Sequence, residues 1–299
     1  MLTNDTHPLQ LNHSTTGGLD MKIGFIGTGT MGSLLIEAFV TSGALEPSQI
    51  AVSNRTYTKA LALASRFIGI SAVPTNAACA ANSDIIFLCV KPLEFKKVVD
   101  ELLPVIRPEQ LVVSITSPVL IAHLEEMLPC KVAKVIPSVT NSVLSGATLC
   151  VYGSRLSAED EARLELLLNR ISKPLQIEEP YTRIVSDLSS CGPAFVSCLM
   201  EQFVDAAVEE TGISREEAGK VVASMLLGTG LLLTEGGLSL ADVQAKVAVP
   251  GGITAQALQL LRRETDGVFN RLVRTTHAKY DEDVSKVSIA FYGEEVNGQ

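Results

Sequence analysis

Positive charge is scarce in this chain of 299 residues: 24 lysines and arginines stand against 33 aspartates and glutamates, a net charge of −9 at pH 7. Such a balance offers no basic face to offset a phosphate backbone, which excludes nucleic acid as the principal partner and leaves any anionic ligand to local groups. Histidine is equally sparse. His7 and His13 lie near the start, His123 falls on a stretch that reads as the outer part of a sheet-covering helix, and His277 lies near the end, so none stands out as a general base. No lysine occurs between Lys173 and Lys220. The cysteines at positions 79, 89, 130, 150, 191 and 198 include no C-x-x-C pair, and several sit in apolar runs. They read as small buried hydrophobes in a reducing compartment, so a cytoplasmic location is expected and no metal site is assigned. A membrane span is not expected either, because the longest apolar run, Val221 to Leu233, is interrupted by Gly228, Thr229 and Gly230 and falls short of the ~18 residues a crossing needs. What the chain has in quantity is apolar residues, 46% of the total at a mean hydropathy of +0.29. With a length beyond that of a typical single domain, two domains with large buried interfaces are expected.

The first twenty residues are polar and lack the apolar centre of a secretory signal, so they read as a floppy leader, with Met21 next to the first strand. That strand, Lys22 to Ile26, runs into Gly27-Thr28-Gly29-Thr30-Met31-Gly32, a G-x-G-x-x-G turn followed by a helix over about Met31 to Thr41. The motif reads as a dinucleotide site. Gly27 permits the tight turn, Gly29 removes the Cβ that would block a pyrophosphate, and Gly32 lets the helix pack closely. The helix then aims its free N–H groups and positive dipole end at the phosphates.

Short β-branched runs alternate with helical stretches from there: Ile50 to Ser53, Ile70 to Val73, Asp84 to Val90, Leu111 to Ile115 and Lys131 to Ile136. Their lack of period-2 alternation predicts strands covered on both faces, a Rossmann-type, doubly wound, mostly parallel α/β sheet. Strands near Ala147 to Tyr152 and Pro174 to Ile177, with a helix near Ala158 to Ile171 between them, extend this domain over 21–179. Beyond Glu178-Glu179-Pro180 the pattern is helical, giving an all-α substrate and dimerisation domain over 180–299 that closes in a disordered tail. The helix at 194–210 is apolar over most of its surface, and Val221 to Leu233 is apolar all round. About a hundred residues of helix cannot enclose two such elements, so an intertwined homodimer is expected, the alternative being a self-contained bundle with both helices in its core.

The second strand ends in Ser53-Asn54-Arg55-Thr56, where a fold preferring NAD places an acid on the ribose 2′-hydroxyl. Arg55 instead offers a planar fork for a 2′-phosphate, assisted by the Ser53 or Thr56 hydroxyl, which favours NADP(H) over NAD(H); an unpaired arginine on a solvated turn is the plainer alternative. Further contacts are expected from Val90-Lys91-Pro92 at the end of the fourth strand, where Lys91 faces either phosphate or water, and from the end of the fifth. Without an obvious general base, a hydride transfer that needs none is implied, which suits an imine whose nitrogen already carries a proton. The missing lysine weighs against a hydroxy-acid dehydrogenase. Two Gly/Pro turns, Leu188 to Phe195 and Val249 to Ala255, are read as helix N-termini, and the second leaves N–H groups near Ile253 and Thr254 for a carboxylate or serves as an ordinary cap.

Together these residues resemble the pyrroline-5-carboxylate reductase family over about Met21 to Tyr280, most specifically at Pro250-Gly251-Gly252 with Thr254, and also at Gly146-Ala147-Thr148 and at Ser189 with Gly192-Pro193-Ala194. The resemblance implies NAD(P)H-dependent reduction of 1-pyrroline-5-carboxylate to proline by helical domains that interleave as dimers and larger rings. It also implies that the substrate-binding loop is Val249, Gly251, Gly252, Ile253 and Thr254, with the carboxylate on the amides of Ile253 and Thr254 and the ring nitrogen on the Thr254 hydroxyl. Several positions depart from the family pattern near the reacting centre. A Met-Pro-Asn-Thr-Pro run is replaced by Ile136-Pro137-Ser138-Val139-Thr140, putting the shorter Ser138 beside the cofactor; Val249 and Ile253 replace small residues; Ser-Gly-Ser-Gly becomes Ser189-Ser190-Cys191-Gly192; and an Ala-Gly is Ser117-Pro118. Each lost hydrogen bond to a buried group weakens binding by roughly 1–3 kcal/mol. This set of changes resembles the late-competence operon branch of the family and leaves open a cofactor-binding regulatory protein with weak or altered catalysis.

Overall fold

The computed structural model describes residues 21–293, so the leader and the tail expected beyond 293 lie outside the described residues. One sheet of eight strands organises the first part: β1 Ile23–Ile26, β2 Ile50–Ser53, β3 Ser71–Ala72, β4 Ile85–Leu88, β5 Leu111–Ser114, β6 Lys131–Ile136, β7 Ala147–Tyr152 and β8 Lys173–Gln176. They lie in the order 3-2-1-4-5-6-7-8, parallel except where β7 meets β6. The helices between them are α1 Thr30–Thr41, α2 Tyr57–Arg66, α3 Asn76–Ala81, α4 Phe95–Leu102, α5 Ile121–Met127 and α6 Ala158–Leu168. After β8 come α7 Thr182–Ser186, α8 Gly192–Thr211, α9 Arg215–Thr234, α10 Leu240–Val247, α11 Ile253–Glu264 and α12 Val268–Tyr292.

Each face of the sheet has its own core. On one side Phe25 stacks on Phe87 with ring centroids 5.0 Å apart, Phe39 of α1 tilts onto the pair, and Leu164, Leu167 and Leu168 of α6 complete the cluster. On the other, Phe95, Val98, Val99 and Leu102 of α4 pack against Ile86, Leu88 and Val112. The spacing of those four residues places them on one helical face, which is what fixes α4 to the sheet. Because β1, β4 and β5 are buried on both faces, their uninterrupted apolar runs follow from position.

The helical segment differs. Val204 is the buried residue of α8 and Ala218 that of α9, whereas Phe203, Val221, Leu227 and Leu232 face outward in a single chain. The helix carrying Val221 begins at Arg215, so at 20 residues and mean hydropathy 1.2 it is long and apolar enough to cross a membrane by those two measures, which corrects the shorter run read from the sequence. A second correction concerns Leu188 to Phe195. The chain does not start a fresh helix there; α7 runs through a π-type turn, Asp187–Cys191, directly into α8. Pro193 has no N–H to offer the carbonyl of Ser189, and the Ser138 hydroxyl donates to that carbonyl instead, at 3.2 Å.

The last helix returns to the sheet. Val287 and Phe291 of α12 enter the second core cluster, a burial contributing about 1.5–3 kcal/mol per side chain. His123 of α5 is buried rather than on the outer surface: its ring lies 5.2 Å from that of Phe291, Nδ1 accepts from the Leu120 N–H, and Nε2 lies 3.4 Å from the Ser288 hydroxyl. Burial, reinforced by the Lys134 charge, holds its pKa below the ordinary value. It is therefore a docking residue for α12. Lys134, fully buried in β6, reaches the Glu179 carboxylate at 2.6 Å and the Ser117 carbonyl at 3.1 Å, tying the sheet to the start of the helical segment.

Candidate cofactor cleft and substrate loop

Register brings the C-terminal ends of the central strands side by side: Ile26 of β1 pairs with Ser53 of β2 and with Leu88 of β4. The chain reverses direction of strand order at this point, and a cleft of about 700 Å³ opens there. Its lining includes Gly27, Gly29, Asn54, Arg55, Thr56, Val90 and Lys91 among the residues read from the sequence.

The glycines of the turn divide their work. Gly27 sits at φ +103°, and a Cβ there would lie 2.4 Å from the Cys89 carbonyl oxygen. A Cβ on Gly32 would lie 2.2 Å from the Gly27 carbonyl oxygen, so α1 packs against the turn itself. Gly29 is different, since a Cβ there would meet nothing within 4 Å. Its bareness is therefore not required by the protein's own packing, and it faces the cleft. Gly29 caps α1 without a side-chain hydrogen bond, and the first intrahelical bond is from Ser33 N–H to the Gly29 carbonyl, so the amides of Thr30, Met31 and Gly32 precede it. The Thr28 hydroxyl is buried without a partner, while its N–H donates to the Asn54 side chain at 3.1 Å. Bare glycine, free amides and an orphan hydroxyl fit a dinucleotide pyrophosphate.

Charge gathers in the same place. Arg55, Lys59, Lys91 and Lys97 line the cleft against Glu94 and Glu101, an excess of cations in a chain whose net charge is −9. Arg55 is not an unpaired arginine on a turn: its Nη1 lies 3.3 Å from Glu94 Oε1 across the cleft. Glu101 accepts from Asn76 Nδ2 at 2.7 Å, and Asn76 Oδ1 accepts from the Ser53 hydroxyl at 2.8 Å. Ser53 is thus turned inward and buried, a correction to its expected place beside Arg55; Thr56 keeps its hydroxyl on the exposed lining. Ser138 is also withdrawn. It is buried, donates to Ser189, and accepts from the Thr140 N–H and hydroxyl. Pro92 opens a short helical turn ending at Glu94 that leads into α4. Glu94, Lys97 and Glu101 escaped the sequence reading, although their spacing of three and four marks one helical face flanking the buried stripe of α4.

The Gly251-Gly252 turn, expected to hold a carboxylate, lies elsewhere in the chain. Gly251 adopts φ +75° and Gly252 caps α11 without a side-chain bond. The first intrahelical bond runs from Gln256 N–H to the Gly252 carbonyl, so the amides of Ile253, Thr254 and Ala255 precede it. Val249 and Ile253 are exposed in the single chain, at 61% and 89%, while Val249 Cγ2 lies against Gly252, 2.8 Å from where a Cβ on that glycine would stand. Among the described residues no hydrogen bond or ion pair ties this loop to the cleft.

A Gly-rich turn at the switch point of a mostly parallel sheet, followed by a helical segment with unsatisfied apolar faces, defines the nicotinamide-dinucleotide-dependent oxidoreductases with a helical second domain. Two family models agree with it: residues 22–118 match the model described as NADP oxidoreductase, coenzyme F420-dependent, and residues 179–283 match pyrroline-5-carboxylate reductase dimerisation. The chain is 42% identical over 272 residues to ComE operon protein 4 of Bacillus subtilis, covering 91% of this chain and 100% of that one. It is 32% identical over 245 residues to the pyrroline-5-carboxylate reductase of Methanosarcina acetivorans, covering 81% and 90%. Among solved structures, the pyrroline carboxylate reductase of Plasmodium falciparum with NADP bound superposes with a TM-score of 0.77 at 23% identity, over 92% and 100% of the two chains, a likeness of fold. The chain belongs to the pyrroline-5-carboxylate reductase family. Its outward apolar helices are those of the family's dimerisation segment, so it is built as a homo-oligomer.

Proposed function

We propose that this chain is an NADPH-dependent reductase of a small cyclic imino acid, with 1-pyrroline-5-carboxylate reduced to proline as the reaction its family favours. The observation that carries the reading is one chain holding both a cation-lined cleft with a bare Gly29 and a second turn, Gly251-Gly252, ahead of free amides. In this reading Gly27, Thr28, Gly29, Thr30, Met31 and Gly32 cradle the pyrophosphate, Asn54, Arg55 and Thr56 face the adenosine ribose, and Val90 and Lys91 form the opposite wall, with Pro92 opening the turn that carries Glu94. Bound NADPH supplies the hydride. The carboxylate rests on the amides of Ile253 and Thr254, and the Thr254 hydroxyl accepts from the protonated ring nitrogen. The hydride goes to the C=N carbon while the nitrogen keeps its proton, so no side chain has to act as base. The cleft lining includes no residue of this loop, and in this reading a second copy docked on the helices brings the two together.

A second reading, a cofactor-binding regulatory paralogue, is supported by Ser138, whose hydroxyl is spent on Ser189 and Thr140 and is not free to meet a cofactor amide. Purified full-length protein mixed with NADPH and 1-pyrroline-5-carboxylate separates the two. The reductase reading expects nicotinamide absorbance to fall as proline forms; a flat trace beside an active control enzyme, with NADPH still bound, favours the regulatory one.

A further inference from the structure

We infer that Glu94 is a specificity-determining residue of the cofactor cleft: it competes with a ribose 2′-phosphate for Arg55 and supplies, from the opposite wall, the carboxylate that the end of β2 lacks. The inference rests on the cofactor reading above. In folds of this kind an acid at the end of the second strand accepts from the ribose 2′-hydroxyl, whereas a nearby arginine takes a 2′-phosphate. Here the strand end carries Asn54, Arg55 and Thr56. Glu94 reaches the same place from the far side, its Oε1 3.3 Å from Arg55 Nη1.

The backbone under Glu94 is fixed. It closes the turn Pro92–Glu94, its N–H donates to the Lys91 carbonyl at 2.9 Å, and the turn rests against α12. The other carboxylate of the cleft, Glu101, is held by Asn76, leaving Glu94 as the acid that meets Arg55. With the two side chains 78% and 42% exposed, the pair adds little to folding stability. Its consequence falls on ligands. A 2′-phosphate dianion must take Arg55 from Glu94 and then lie beside a negative charge, whereas a 2′-hydroxyl can donate to that charge.

Titration calorimetry on the full-length protein with adenosine 2′,5′-bisphosphate and with adenosine 5′-monophosphate tests this in wild type, Glu94→Gln, Glu94→Ala and Arg55→Ala, each checked for an unchanged melting transition. Both Glu94 variants are expected to bind the bisphosphate about fivefold more tightly and the monophosphate about twofold more weakly. Unchanged affinities, or parallel changes for both nucleotides, overturn the role of Glu94 when Arg55→Ala still selectively weakens the bisphosphate. If Arg55→Ala weakens both equally, or if wild type binds neither nucleotide nor NADPH, the cofactor reading fails with it.

Discussion

The two parts of this chain handle apolar surface in opposite ways. In the sheet part Phe25, Phe39, Phe87 and Phe95 are all fully buried, and the outward exceptions are single residues such as Ile68 or pairs such as Tyr57 and Leu61. In the helical part Phe203, Val221, Leu227 and Leu232 stand exposed on neighbouring helices, and mainly Val287 and Phe291, which dock on the sheet, are buried. One part is finished by a single copy and the other is not. Scattered exposed side chains need no partner, but a contiguous apolar face of this extent marks an interface.

The largest effect that would break this contrast is a charge placed on each kind of exposed residue. Leu227→Asp, on α9, should convert the oligomer to monomers in sedimentation, because an unpaired carboxylate buried between subunits is destabilising by several kcal/mol. Ile68→Asp, at 93% exposure on the sheet part, should leave assembly intact and stability within about 0.5 kcal/mol. Equal effects would erase the distinction. Next, Gly29→Val should cost no more than about 0.5–1.5 kcal/mol in melting, the loss of a favourable N-cap rather than a clash, since its Cβ meets no protein atom, while weakening NADPH at least about tenfold. Unaltered NADPH affinity would mean the dinucleotide does not cross the turn.

Arg55→Ala should then weaken NADPH by about 10- to 100-fold with a much smaller change for NADH, the range expected from removing a charge-assisted bond to phosphate. The smallest effect concerns the joint between the two parts. His123 is held neutral by burial, with its pKa below the ordinary 6.5, so its contribution is fully present above that value. As pH falls below it, the unfolded chain takes up the proton first and the docking of α12 weakens. The protection of α12 against hydrogen exchange, once the pH dependence of the intrinsic exchange rate is divided out, should therefore fall between pH 7 and pH 5, and His123→Asn should flatten that dependence.

Most of the sheet part was legible because its signals are local. The run Ile23 to Gly32 carries its strand, turn and helix start in consecutive residues, and the strands at 50, 111, 131 and 147 begin where their β-branched runs begin. What escaped depends on contacts distant in sequence. The inward turn of Ser53 is set by Asn76, the burial of His123 by Phe291, and the passage of α7 into α8 by a hydroxyl at Ser138 taking the carbonyl that Pro193 leaves free. Glu94 was not legible for a related reason: it lies far in sequence from the end of β2, and its contact with Arg55 comes from the turn before α4.

Crystals of the protein grown with NADPH and L-proline test the central claim most directly. The account predicts two chains locked through α8 and α9, a 2′-phosphate on Arg55, and the proline carboxylate on the amides of Ile253 and Thr254 facing the nicotinamide. NADPH bound with no proline at that turn, at saturating concentration, would contradict it.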